Sequence, residues 1–434
     1  MNSVVGDVAV DLHPFMRKYT DGRIERMLFS SFVPASEDPA ASRGVATRDV
    51  IIDETNGVSA RLFLPSDAAA SDNGRRRRLP VVVYIHGGSF CTESAFCRTY
   101  HRYATSVASR AGALVVSVEY RLAPEHPVPA AHDDAWAALR WAASPLSDPW
   151  LTEHADLTRL FVAGDSAGGH IAYRTAVRAS HDGIHIEGLI VVQPFFWGAE
   201  MLPSEVAWVG DSVIDPHRVG DLWPFVTAGQ AGNDDPWLEP SVEEIAGLTF
   251  RRALVAVAEK DFLRHRGLHL AARMRWAGGR EVTVVDSEGE DHGFHLYSPL
   301  RATSRRLMES IVQFINHRSE SETASGWPAG VLPELHECAP LRACKGKVSR
   351  AQPLLSVPSR PYQAVFLNGF DLQARHGPRA VEMNSSLTIG PRKTSKRGFG
   401  LFTARSKANN CSASMVTLSA TTSVSSITVG KKFF

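Results

Sequence analysis

The sequence predicts an α/β fold: an eight-stranded, mostly parallel sheet with helices on both faces. Two observations carry this expectation. Apolar, β-branched runs of strand length alternate with helix-like stretches from residue 48 to 319. The inner runs are hydrophobic almost without interruption, as strands buried on both faces are. The chain has 434 residues, 44% of them hydrophobic and 21% charged, a composition that supports a large core and excludes a mainly disordered, collagen-like or coiled-coil chain.

The candidate strands in chain order are Val50–Ile52, Ala60–Leu64, Pro80–Ile85, Ala113–Glu119, Leu160–Ala163, Leu189–Gln193, Ala253–Val257 and Val282–Val285. Asp53-Glu54-Thr55-Asn56-Gly57 joins the first two by a turn, which places them as a hairpin at one edge. Helices are expected over Ala95–Arg110, Asp133–Ala143, Ala167–Ser180, Arg264–Trp276 and Ala302–His317. The last places Leu307, Ile311, Phe314 and Ile315 on one face. The polar stretch 71–78, with four arginines, reads as a solvated loop. No strand is expected between Pro194 and Thr249, a long insertion rich in Trp, Pro and Gly. With the partly apolar residues 1–45 it is expected to form a cap over the carboxyl ends of the strands.

Charge divides the chain. After residue 320 there are 15 Lys+Arg against 5 Asp+Glu; residues 1–320 hold 32 against 41. The expected organisation is one domain over 1–319 and a basic, low-complexity, disordered tail over 320–434. No apolar run reaches the roughly 18 residues of a membrane span, and Met1 to Asp11 lacks the apolar core of a secretory signal. Five cysteines, an odd and sparse set, argue against a disulfide framework and for a reducing, cytoplasmic setting. Cys91 and Cys97 are read as structural thiols.

Gly164-Asp165-Ser166-Ala167-Gly168-Gly169 follows a strand and opens a helix. G-x-S-x-G in that context is a nucleophile elbow, with glycines where side chains would collide on a sharp turn. His86-Gly87-Gly88-Ser89-Phe90 ends the third strand, and its backbone N–H groups are candidates for an oxyanion hole. The expected donors are Gly87, Gly88 and Ala167. A serine nucleophile needs a base, and the base an orienting acid, here in the chain order Ser, Asp, His. Glu259-Lys260-Asp261 follows the seventh strand and Glu290-Asp291-His292-Gly293 the eighth. The assignment is Ser166 as nucleophile, His292 as base then acid, and Asp261 as orienting carboxylate. Glu259, Asp291 and His295 are the nearest rivals. No metal-ligand spacing and no phosphate-binding glycine motif appears, so neither metal nor nucleotide cofactor is expected.

These motifs, together with Val118–Glu125 (VEYRLAPE), Glu259–Leu263 (EKDFL) and Asp291–Leu296 (DHGFHL), resemble the hormone-sensitive-lipase-like group of α/β-hydrolases, and within it the plant carboxylesterases. The resemblance covers roughly residues 8–319. It implies an α/β-hydrolase fold with a helical cap, no cofactor, and a serine esterase acting on small-molecule esters through the residues assigned above. A monomer or weak homo-oligomer, with no nucleic-acid partner, is expected. Ser89 stands where the family loop often has a third glycine, as in the gibberellin receptors, which share the fold but lack the histidine. His292 therefore favours an enzyme over a receptor. Other relatives are dehydratases of hydroxyisoflavanones or convert glucose esters with nearly the same site.

Overall fold

Eight hydrogen-bonded strands form the centre of the molecule. The structure is a computed structural model that describes residues 7–317, apart from 67–70, 73, 74, 77, 145 and 211; the tail expected after residue 320 lies outside the described residues. The strands are β1 (Val45–Asp53), β2 (Val58–Pro65), β3 (Leu79–Ile85), β4 (Leu114–Glu119), β5 (Ala155–Asp165), β6 (Gly188–Val192), β7 (Arg252–Ala258) and β8 (Glu281–Ser287). Their spatial order is β1-β2-β4-β3-β5-β6-β7-β8. β1 and β2 are the expected edge hairpin, with Val50 opposite Ala60, and β2 runs antiparallel to β4. All other neighbours are parallel. This is the α/β-hydrolase architecture.

Each expected strand is present, and most are longer than the apolar run that announced them. β5 begins at Ala155 because its polar start still pairs with β3, through Ala155–Leu79 and Asp156–Pro80. Helices α1 (Arg98–Ala111), α2 (Ala130–Ala142), α3 (Ala167–Asp182), α4 (Arg264–Gly278) and α5 (Ala302–Asn316) cover the sheet. α1 starts three residues later than expected. Glu119 at the end of β4 captures the Ala95 N–H and the Ser94 hydroxyl, each at 2.7 Å, and holds 94–97 in a loop. Gly112, Gly183 and Gly279 end α1, α3 and α4 in the left-handed conformation that glycine adopts without penalty.

Two apolar layers sandwich the sheet. One holds Val81, Val83, Val162 and Val191 with α2 and α3 residues such as Trp136 and Tyr173. The other holds Val82, Phe161, Ile190 and Leu254 with α1 and α5 residues such as Val107, Ile311 and Phe314. The alternation Val81/Val82/Val83 between layers is the two-residue period of a strand buried on both faces.

Two regions differ from expectation. The N-terminal residues form a three-stranded antiparallel meander, Val8–Leu12, Met16–Tyr19 and Ile24–Arg26, rather than a helical segment. Its strands are too short to show a clear period, and only Leu12, Met16 and Tyr19 are fully buried. The arginine-rich stretch is not a plain loop: Ser71–Asp72 pairs with Arg75–Arg76 as a small hairpin. Among the described residues of 195–249 there is no strand, and short helices form at Pro203–Val206, Val219–Val226 and Val242–Gly247. No helix among the described residues is long and apolar enough to cross a membrane.

Candidate active site

The carboxyl ends of four parallel strands, β3, β5, β7 and β8, bring the candidate residues together, as expected for an open α/β sheet. β5 stops at Asp165, and Ser166 makes the turn into α3 with φ 51° and ψ −123°. A β-carbon-bearing residue holds that conformation only where its surroundings impose it. The imposed contacts are close. A Cβ on Gly164 would strike the Gly168 carbonyl, and one on Gly168 would strike the carbonyls of Ile85 and His86. The two glycines therefore let β5, α3 and the end of β3 meet.

Ser166, His292 and Asp261 form a continuous hydrogen-bonded chain. Ser166 Oγ lies 2.9 Å from His292 Nε2, and His292 Nδ1 lies 2.8 Å from Asp261 Oδ2. Asp261 accepts, so Nδ1 carries the proton and Nε2 is left to accept from the serine hydroxyl. All three side chains are buried, Asp261 completely. Burial opposes charging of His292, but the charge and hydrogen bond of Asp261, with Asp165 and Asp291 nearby, outweigh it and raise its pKa above the ordinary 6.5.

The rivals are engaged elsewhere. Asp291 accepts from Ser212 Oγ and the Val213 N–H. Glu259 accepts from the Gly289 N–H at 2.7 Å. The ring of His295 packs edge-on against Tyr103, and burial pushes its pKa down to about 3. Cys91 and Cys97 are buried free thiols whose pKa values burial raises.

The loop after β3 departs from expectation at one position. The Gly87 N–H donates to Tyr100 Oη at 2.9 Å and to Asp165 Oδ1 at 3.1 Å. That N–H, expected as an oxyanion donor, is engaged here in holding the loop. A Cβ at Gly87 would meet Asp165 Oδ2 at 2.5 Å, so the glycine is needed for that approach. The next residues turn sharply: Gly88 has φ 107° and Ser89 φ 53°. Ser89 lines the same cavity as Ser166 and Ala167.

Two further residues hold the site without having been assigned a role from the sequence. Asp165, wholly buried, accepts from Tyr84 Oη (2.6 Å) and Tyr100 Oη (2.9 Å) as well as Gly87. Burial raises its pKa to about 6, against those hydrogen bonds. Gln193, with φ 48°, bridges the histidine loop by accepting from the Gly293 N–H and donating to the Asp291 carbonyl. Asp165 lies within the elbow motif; Gln193 gave no sequence signal beyond ending a strand.

The cavity over Ser166 is mostly apolar, walled by Leu12, Phe15, Phe195, Ile214, Leu222 and Leu263. Arg218 stands at its rim, bonded to the Asp11 carbonyl (3.1 Å) and paired with Asp11 Oδ2 (3.0 Å) and Asp215 Oδ2 (3.2 Å). The rim thus ties the N-terminal meander to the 195–249 insertion.

Known proteins resemble this chain in sequence and fold. A family described as having the alpha/beta hydrolase fold matches residues 82–296. A 2-hydroxyisoflavanone dehydratase of Glycyrrhiza echinata is 40% identical over 323 residues, spanning 70% of this chain and 95% of the relative. A probable carboxylesterase of Arabidopsis thaliana is 39% identical over 323 residues, 71% of this chain and 98% of the relative. The solved structure of a hyperthermophilic esterase from the archaeon Pyrobaculum calidifontis is 29% identical, with a TM-score of 0.53, covering 64% of this chain and 86% of that one. With its sheet order, its elbow and near-full-length likeness to these plant enzymes, the chain belongs to the α/β-hydrolase family, in the group that contains the plant carboxylesterases.

Proposed function

We propose that this protein is a carboxylesterase that cleaves esters of small molecules through an acyl-enzyme on Ser166. The observation that carries the reading is the Asp261–His292–Ser166 chain at the floor of an apolar cavity. His292 takes the hydroxyl proton as Ser166 attacks the acyl carbon. The resulting oxyanion is stabilised by backbone N–H groups of Gly88, Ser89 and Ala167, with Ser89 in place of Gly87. Loss of one such donor typically costs about 10²–10³ in rate. The alcohol leaves with the proton from His292, and a water activated by the same imidazole then releases the acid and restores the serine.

The proposed cap is formed by the N-terminal meander and residues 195–249, joined at Arg218. Its apolar lining favours an apolar acyl group beside Ser166. We take residues 1–319 as the hydrolase domain and expect a chain ending at 320 to keep the activity. A cytoplasmic setting rests on the cysteine usage alone, and a fluorescent fusion tests it.

The deciding experiment uses the full chain with p-nitrophenyl acetate and a fluorophosphonate label. Turnover and labelling are expected in the wild type, with both lost in Ser166→Ala. Turnover in Ser166→Ala above a mock preparation overturns the assignment. The dehydratase among the relatives favours a second reading, elimination at the same site, and mass spectrometry of the products separates the two. A pure receptor role requires unlabelled wild type and ligand affinity indifferent to Ser166→Ala.

A further inference from the structure

A second cleft shares no lining residue with the cavity over Ser166. It runs between the turn Pro39–Ser42, α1, α5 and the segment 295–300, in two adjoining parts that share Arg43, Arg98 and Arg102. The larger part, about 480 Å³, is of ligand-site size. Arg110 and Arg305 also line it.

These exposed arginines are poorly matched by acidic partners. Residues 1–320 carry more acid than base, yet among the described residues Arg43, Arg98, Arg102 and Arg305 form no ion pair; Arg110 reaches Glu309 at 3.5 Å. Arg98 opens α1 and Arg102 lies one turn on, on the same face. Like charges at that spacing repel, and cations at a helix N-terminus oppose the macrodipole. The first amides of α1 are already satisfied, Arg98 N–H by the Ser31 carbonyl and Thr99 N–H by Ser30 Oγ. The uncompensated charge is therefore in the guanidinium groups.

One wall of the cleft is apolar. Leu296, Pro299, Leu300, Leu307 and Met308 line it, and Leu300 is 84% exposed. His295 also lines it, is only 4% exposed, and has no hydrogen-bond partner on either ring nitrogen. Buried polar atoms rarely go unpaired, so His295 holds an unused donor and acceptor just beneath the cleft surface, at its 295–300 wall.

From this juxtaposition of unpaired arginines, an apolar wall and an unpartnered buried histidine, we propose that the cleft binds an amphipathic oxyanion: a carboxylate or phosphate head on an alkyl chain. The head sits among Arg43, Arg98 and Arg102, where forked guanidinium donors match its oxygens; the chain lies along Leu300 and Met308. One end of the cleft is the segment that carries His295, three residues from His292, so occupancy bears on the loop that presents the catalytic base.

The test is calorimetric titration of the full chain with dodecyl phosphate, laurate and inorganic phosphate, in wild type and in Arg98→Glu/Arg102→Glu. These exposed residues are outside the catalytic machinery, and an unchanged circular dichroism spectrum verifies the fold. Saturable binding of at least one alkyl anion is expected, weakened at least tenfold in the double variant and by raising salt from about 0.05 to 0.5 M. Arg43→Glu gives the same loss independently. Binding of dodecyl phosphate but not laurate identifies a phosphoryl head; binding of both identifies either. Affinity equal in wild type and the variants, or no saturable binding of either alkyl anion, overturns the proposal. None of these outcomes depends on esterase activity.

Discussion

At Ser166 the backbone and the hydrogen-bond chain act on one atom. The imidazole is a base only when neutral, and its pKa is raised by Asp261. Ester turnover is therefore expected to fall as pH drops through a value above 6.5. In Asp261→Asn that acid limb moves to lower pH, and kcat falls by about 10⁴, as for the equivalent change in a serine protease; pH–rate profiles of kcat/KM check both. The linkage to stability has the opposite sense. His292 binds its proton more tightly when folded, so its contribution is complete below the unfolded pKa and is lost as pH rises through the folded one. Asp165 acts through its neighbours. Replacing it with Asn removes the charge and turns one of its two acceptor oxygens into an NH2 donor, which then faces a donor from Tyr100 or from Tyr84 and Gly87. The expected result is a kcat lower by about tenfold or more with KM little changed, since the loop it fixes meets the transition state rather than the bound ester. An unchanged kcat in a folded Asp165→Asn protein assigns the residue to packing alone.

Among elements, the consequential pair is the N-terminal meander and the 195–249 insertion, which meet at Arg218. The ion pairs there are only half-buried, so Arg218→Ala is expected to cost about 1 kcal/mol or less of stability in urea unfolding. Its kinetic effect is larger: KM for an ester with an apolar acyl chain rises severalfold while kcat holds, because the cavity walls contributed by Leu12 and Phe15 lose their tether. The meander also shows why this element was hard to read. Strands of three to five residues carry too few alternations to display a period, and the partners that stabilise them lie more than 200 residues away, as Arg218 does for Asp11.

For the whole molecule, stability rests on the two layers that enclose the sheet. Phe314 of α5 packs against Phe161 of β5 at 6.1 Å and covers Gly188 of β6. Phe314→Ala is expected to destabilise by about 3–5 kcal/mol, read from the urea midpoint, with turnover of the remaining folded enzyme unchanged. A loss below about 1 kcal/mol would place the main energy of that layer elsewhere.

The sequence by itself determined the fold class, the eight strands, the edge hairpin and the three residues of the hydrogen-bonded chain. Those features are local: a two-residue or 3.6-residue period, a glycine on each side of a serine, an acid or a histidine just past a strand's end. The tertiary structure decided what depends on residues far apart in the chain. It separated Asp261 from Glu259 and Asp291 by giving the rivals other partners. It assigned the Gly87 N–H to Asp165 and Tyr100, leaving Ser89 to face the cavity. It recruited Gln193, and it built the apolar walls from residues 12–15 and 195–222. A spacing specifies which residue types reach one sheet edge; the direction of a single N–H, and the filling of a cavity, are set only when every neighbouring donor, acceptor and side chain is in place.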